Sequence, residues 1–182
     1  MSRIEQLREQ LGGAHPRAAT KVKDFLEPLV RGFVEAAPFL VMASSNADGD
    51  CDASPKGGKP GFVRVLDDRT LLIPDLGGNR LFQGYTNFET NPKVGLVFII
   101  PGMDVTARVN GRIEVLDRDA VEALIASPEV FFTDHNTKLV QAIRVTVDEA
   151  YLHCPRAFQF AALWDPDTIA ANAGRSLKSL QE

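Results

Sequence analysis

The stretch Phe62-Val63-Arg64-Val65-Leu66-Asp67-Asp68-Arg69-Thr70-Leu71-Leu72-Ile73-Pro74 holds two short aliphatic runs on either side of a polar turn. Runs of that length and composition around Asp67-Asp68-Arg69 predict a β-hairpin. Upstream, Phe39 to Ser45 is a further apolar run, Asn46-Ala47-Asp48-Gly49-Asp50 is a turn, and Cys51 to Pro55 leads back, so another hairpin precedes the first. The loop Gly57-Gly58-Lys59-Pro60-Gly61 joins the two.

Downstream, Leu81, Tyr85 and Phe88 share one face of a helix over Arg80–Phe88, and Asn91-Pro92 closes it before a strand from Val94 to Ile100. Residues Val105 to Leu116 are long enough for a bent strand, with Gly111 a natural bulge or corner. Asp117 caps a helix that runs to Ile125, Ala142–Val147 alternates as a final strand, and residues 155–164 read as helical. At the other end, Ile4, Leu7 and Leu11 mark a short amphipathic helix stopped by Gly12-Gly13. A second helix is expected from about Pro16 to Ala36, with Val22, Phe25, Leu26, Leu29, Val30 and Phe33 as its apolar stripe and Pro28 and Gly32 kinking or dividing it. Five to seven short strands with one crossover helix predict a small barrel with helical attachments.

The chain has 182 residues, 45% of them hydrophobic, enough for one core and no obligatory second domain. Its net charge of −4 argues against broad attraction to nucleic acid or to an anionic membrane. No apolar run approaches the roughly 20 residues that span a bilayer, and the N-terminus lacks the apolar stretch of a signal peptide. Cys51 and Cys154 lie far apart without metal or disulfide-framework spacing, so two free thiols in a reducing cytoplasm are expected. His153 and Cys154, being adjacent, cannot make a tetrahedral metal site alone, and neither His15 nor His135 has helpful spacing, so no metal is expected.

Ala53-Ser54-Pro55-Lys56-Gly57-Gly58, then Gly61 through Asp75, then Gly78-Asn79-Arg80 resembles the pyridoxamine 5'-phosphate oxidase-like flavoproteins. Asn91-Pro92-Lys93-Val94-Gly95-Leu96 is similar to the family's link into the next strand, and Arg108-Val109-Asn110-Gly111 to its central strand. Tyr151-Leu152-His153-Cys154-Pro155-Arg156-Ala157 and Leu163-Trp164 resemble a bacterial branch of probable FMN-dependent enzymes. The resemblance covers roughly residues 38–165. It implies a mainly β (α+β) fold, a six-stranded antiparallel split β-barrel with flanking helices, usually a homodimer with FMN at the subunit interface. The expected organisation is a helical segment 1–37 packed on the barrel, the barrel domain 38–165 and a tail 166–182, all within one domain.

FMN needs charge-assisted donors for its phosphate, apolar cover for its ring and polar groups at the pyrimidine edge. Arg80, opening a helix after Gly77-Gly78-Asn79, suits the phosphate, with Asn79 beside it. Lys56 in the Ser-Pro-Lys-Gly-Gly turn faces either the phosphate or the substrate. Arg64 does the same, or else sits on the solvent face of its hairpin. By resemblance, Leu72, Ile73 and Pro74 border the flavin, although they equally suit the core. Thr106, Arg108 and Asn110 share a polar strand face; Thr106 or Arg108 occupies the stretch that contacts the ring in related proteins, and a solvated face is the alternative. His153 and Arg156 are expected at the mouth of a substrate pocket. The implied activity is FMN-dependent oxidation or reduction of a small molecule, with no protein nucleophile required. The alternatives are a non-catalytic flavin-binding or redox-sensing dimer, or an F420- or haem-binding relative.

Overall fold

Alternation decides which face of each strand is buried. In β1 (Phe39–Ser45) Leu40, Met42 and Ser44 are buried, and in β5 (Lys93–Ile99) Val94, Leu96 and Phe98 are, with their neighbours more exposed. The computed structural model describes residues 1–13, 20–78, 80–125 and 138–180. Five further strands complete the sheet: β2 (Cys51–Gly57), β3 (Arg64–Asp67), β4 (Thr70–Leu76), β6 (Thr106–Asp117) and β7 (Leu139–His153). They form one seven-stranded antiparallel sheet in the order β2-β1-β5-β6-β7-β4-β3, open at both ends of its hydrogen-bonding ladder. The β-rich α+β split-barrel architecture expected from the sequence is present, with seven strands in place of six.

Both predicted hairpins form, β1 with β2 and β3 with β4. The predicted corner falls at Gly111, where the β6–β7 register shifts. A Cβ there would collide with the Thr146 carbonyl oxygen and the Val145 side chain, so only glycine admits β7 so closely. β7 extends well beyond the expected Ala142–Val147, because β6 continues to pair with it as far as His153.

β4 is buried on both faces, and each face serves a different core. Leu71 and Ile73 join Leu40, Met42, Leu96, Phe98 and Val109 inside the curled sheet. Leu72 points the other way into a smaller cluster with Leu116, Leu139, Ala142 and Val121, the last from α4 (Arg118–Leu124). Asp117 caps α4 as expected, accepting from the Ala120 amide at 2.8 Å. Pro74, which has no N–H to donate, stands past the end of β3, where β4 pairs only with β7.

The N-terminal helix α1 (Arg3–Gln10) begins with a capping box between Ser2 and Glu5 and buries none of its residues. The expected long helix up to Ala36 is shorter: α2 spans Pro28–Ala36, and the part of that expectation over residues 14–19 lies outside the described residues. Pro28 opens α2 instead of kinking it, since proline suits the first helical turn and cannot follow helical residues without a clash. Residues 21–27 before it are not helical, and Lys23 bridges Ala150 through both backbone hydrogen bonds, at 3.2 and 2.7 Å. Leu26 and, from α2, Val30, Phe33 and Val34 enter the main core.

The crossover helix α3 spans Gln83–Thr90. It is fastened to the β1–β2 hairpin by polar contacts: Asn87 Nδ2 donates to Ser44 Oγ at 3.0 Å and Asn91 Nδ2 to Ser45 Oγ at 3.1 Å. After β7 come α5 (Arg156–Phe160), α6 (Pro166–Ala173) and a 3-10 turn at Leu177–Leu180. Among the described residues, no helix is long and apolar enough to cross a membrane.

Candidate functional site

β2 and β4 are not hydrogen-bond neighbours, yet Lys56 Nζ of β2 lies 3.5 Å from Asp75 Oδ1 of β4. The two ends of the sheet therefore curl towards each other, and this ion pair spans the split. Asp75 is buried, and its other oxygen accepts from Gln141 Nε2 at 3.1 Å. A carboxylate in so buried a strand needs such partners to offset its desolvation.

A cleft of about 700 Å³ opens at this seam, walled by β2, the end of β4, the segment Gly77–Gly84 as far as it is described, Tyr85 of α3, and Lys138 with Val140 at the start of β7. Its size falls in the range of small-molecule and cofactor sites, roughly 300 to 1,000 Å³. Arg80 and Lys138 line it with no ion-pair partner among the described residues. Tyr85 also lines it, its buried O–H next to Asp75 and Gln141 but making no hydrogen bond of good geometry among the described residues. Burial, and then the adjacent Asp75 carboxylate, push the Tyr85 phenol well above its ordinary value, so it is a donor at every physiological pH.

The approach to α3 is strained. Arg80 has φ 62° and Phe82 φ 52°, both in the left-handed region that non-glycine residues rarely enter. The expected helix start at Arg80 is displaced to Gln83 for this reason. Each such residue costs on the order of 1 to 3 kcal/mol, and such conformations cluster where ligands bind. Here they hold Arg80 on the cleft wall. Inside the helix, a Cβ at Gly84 would stand 3.5 Å from the Asp52 carboxylate and the Ser44 hydroxyl, an ordinary contact that shows how closely α3 lies against the hairpin.

Of the residues expected at a cofactor, the cleft brings together Lys56 and Arg80. Asn79 lies outside the described residues. Pro74 lines a smaller adjoining hollow with Lys56 and Asp75. Leu72 and Ile73 are fully buried in the two cores and do not line the cleft. Arg64 is exposed next to buried Phe62 and Val63, the solvent-facing arrangement of the two that its sequence allowed. Asp75, Tyr85 and Lys138 were not singled out from sequence. Asp75 carried a signal, a carboxylate between Pro74 and Leu76 in an apolar strand; Tyr85 was read only as part of an apolar helix face.

Thr106, Arg108 and His153 lie elsewhere, on β6 and β7. Register pairs Thr106 with His153 and Arg108 with Tyr151. Thr106 is buried, while the Arg108 guanidinium lies 5.5 Å from the Tyr151 ring centre with its Nε buried and unpartnered. The His153 ring meets Tyr151 edge-on, with centroids 6.3 Å apart. Arg156 is exposed at the start of α5, its guanidinium 5.1 Å from the Phe160 ring centre. None of these four lines the cleft.

The family model for pyridoxamine 5'-phosphate oxidase matches residues 26–154. No curated protein matches the chain. Among solved structures, one from Lactobacillus delbrueckii, provisionally assigned to pyridoxamine 5'-phosphate oxidase, is 21% identical over 72% of this chain and 99% of its own, with a TM-score of 0.54. HupZ of Group A Streptococcus is 17% identical over 68% of this chain and 90% of its own, with a TM-score of 0.52. At these identities the likeness is one of fold. The matched segment runs from the start of the core at Leu26 to the end of β7, and the chain belongs to the pyridoxamine 5'-phosphate oxidase family.

Proposed function

We propose that the protein is an FMN-dependent oxidoreductase acting on a small molecule, and that it works as a homodimer. The observation that carries this reading is the seam cleft, where among the described residues Arg80 and Lys138 have no ion-pair partner and Tyr85 presents a buried O–H. These groups fit a ligand with a phosphate at one end and hydrogen-bond acceptors elsewhere. Arg80 and Lys138 would hold the phosphate, Lys56 would add charge from its place beside Asp75, and Tyr85 would donate to an acceptor atom. FMN, when bound, supplies the electron transfer itself, which is why the site needs no nucleophile. The protein's part is to bind, orient and exclude water.

The dimer is supported by the outer face of the sheet. Phe39, Val41 and Ala43 of β1 pair in register with Ile99, Val97 and Gly95 of β5 on the face turned away from the core, and these apolar residues are at most half-buried. A second copy would remove that row from water. Exposed free thiols at Cys51 and Cys154 suit a reducing cytoplasm, where we place the protein.

The test is the visible spectrum of the purified protein and the identity of whatever is released on denaturation. Flavin bands, FMN in the supernatant and repeated turnover with NAD(P)H and a screened acceptor are the expected results. Bound flavin that never turns over would support a flavin-binding or redox-sensing module instead; released haem or deazaflavin would replace the cofactor. Sedimentation should give a dimer that Val97→Asp dissociates.

A further inference from the structure

A second constellation lies on the outer face of β6 and β7, among residues that do not line the cleft. Tyr151 projects from β7 opposite Arg108, and the Arg108 guanidinium sits 5.5 Å from its ring centre. Lys21 arrives from the segment ahead of α2. The Lys23–Ala150 bridge pins that segment along the stretch of β7 that lies beyond the end of β4. From there Lys21 Nζ donates to the Leu152 carbonyl at 3.2 Å and sits 4.8 Å from the Tyr151 ring centre. His153 follows two residues along β7, on the same face, its ring against Tyr151.

Three basic side chains are thus gathered around one tyrosine. Among the described residues none of the three has an ion-pair partner, and Arg108 Nε is buried with nothing to donate to. The nearby carboxylate of Glu149 is engaged by Asn110 Nδ2 at 2.9 Å. Elsewhere on the same strand the usual pattern holds: Asp148 takes Lys93 and Arg112 at 2.9 and 3.0 Å. Partial burial lowers the His153 pKa first, and Lys21 and Arg108 lower it further, so the charges that act on the imidazole are both positive. Mutually repelling cations held together, one with a buried donor that has no partner among the described residues, make a field that attracts an anion.

We propose that Lys21, Arg108 and His153 form a binding site for a small oxyanion, the carboxylate or phosphate group of a low-molecular-weight ligand, distinct from the seam cleft. The anion supplies the negative charge that this face of the sheet lacks among the described residues. The Arg108 fork and the Lys21 ammonium donate to the anion's oxygens, and His153 becomes protonated as it binds.

The experiment follows the imidazole of His153 by NMR in the full-length protein, titrated separately with inorganic phosphate and with acetate. Either anion should raise the His153 pKa in a saturable way, and the arm that saturates at lower concentration identifies the preferred oxyanion. Lys21→Gln and Arg108→Gln should each weaken that binding about tenfold or more, as loss of a charge-assisted hydrogen bond does. Arg80→Ala, which alters only the cleft, should leave it unchanged. If neither anion moves His153, or both do so equally well in Lys21→Gln and Arg108→Gln, the proposal is overturned. FMN binding is read independently by flavin fluorescence, so failure at this site and failure of the flavin reading are separate results.

Discussion

The two cationic regions of the molecule handle charge in opposite ways. At the seam, Lys56 meets a buried carboxylate that is itself held by Gln141, and the cleft wall is tied into the sheet by that contact. On the outer face, Lys21, Arg108 and His153 crowd one aromatic ring, and among the described residues none of them has an ion-pair partner. The first arrangement ties the fold together, beside two cations with no ion-pair partner among the described residues; the second is held only by cation–π contacts and one hydrogen bond to a backbone carbonyl. A cation that helps the fold and a cation that waits for a ligand are therefore distinguishable by what removing it does to stability.

The largest effect should come from breaking the seam. Asp75→Leu strands Lys56 and Gln141, and thermal or denaturant unfolding should show a loss of about 3 kcal/mol, the lower end for a broken buried pair because Lys56 is partly exposed. Next, Arg80→Ala should weaken FMN by about 2 kcal/mol in a fluorescence titration, the worth of a charged hydrogen bond. Arg80→Gly should weaken FMN similarly yet raise stability by about 1 kcal/mol, because glycine relieves the left-handed backbone at a smaller entropic cost than the strain it removes. On the outer face, Arg108→Met should stabilise by about 0.5 kcal/mol, since the buried unpartnered Nε disappears with little else lost than its contact with Tyr151.

The smallest effect is a pH dependence. His153 has a folded pKa below its ordinary 6.5, so the unfolded chain takes up the proton first. Stability should fall as the pH drops from above 6.5 through the lower folded value. Lys21→Gln should reduce that fall, because one of the two repelling charges is gone. A pH profile of the unfolding midpoint for both proteins reads this directly.

The hairpins, the Gly111 corner and the Asp117 cap were legible in the sequence because each rests on a local rule: period-two alternation, a turn composition, or a capping side chain. Pro28 was misplaced inside a helix because its neighbours keep a helical period, whereas the backbone bridge from Lys23 to Ala150 holds the preceding segment against β7. Lys56 and Arg80 could be named from their glycine-rich surroundings. Asp75, Tyr85 and Lys138 could not be joined to them, because the contact across the split depends on how far the sheet curls. Lys21 was invisible for the same reason: its partners on β7 are 130 or more residues away in the chain.

The most direct measurement is the stoichiometry of FMN on the full-length protein, from the absorbance of the bound flavin and the FMN released on denaturation. The seam cleft predicts about one FMN per chain, retained at micromolar concentration and weakened by Arg80→Ala. A protein that neither copurifies with FMN nor binds it when added at micromolar levels would contradict the account.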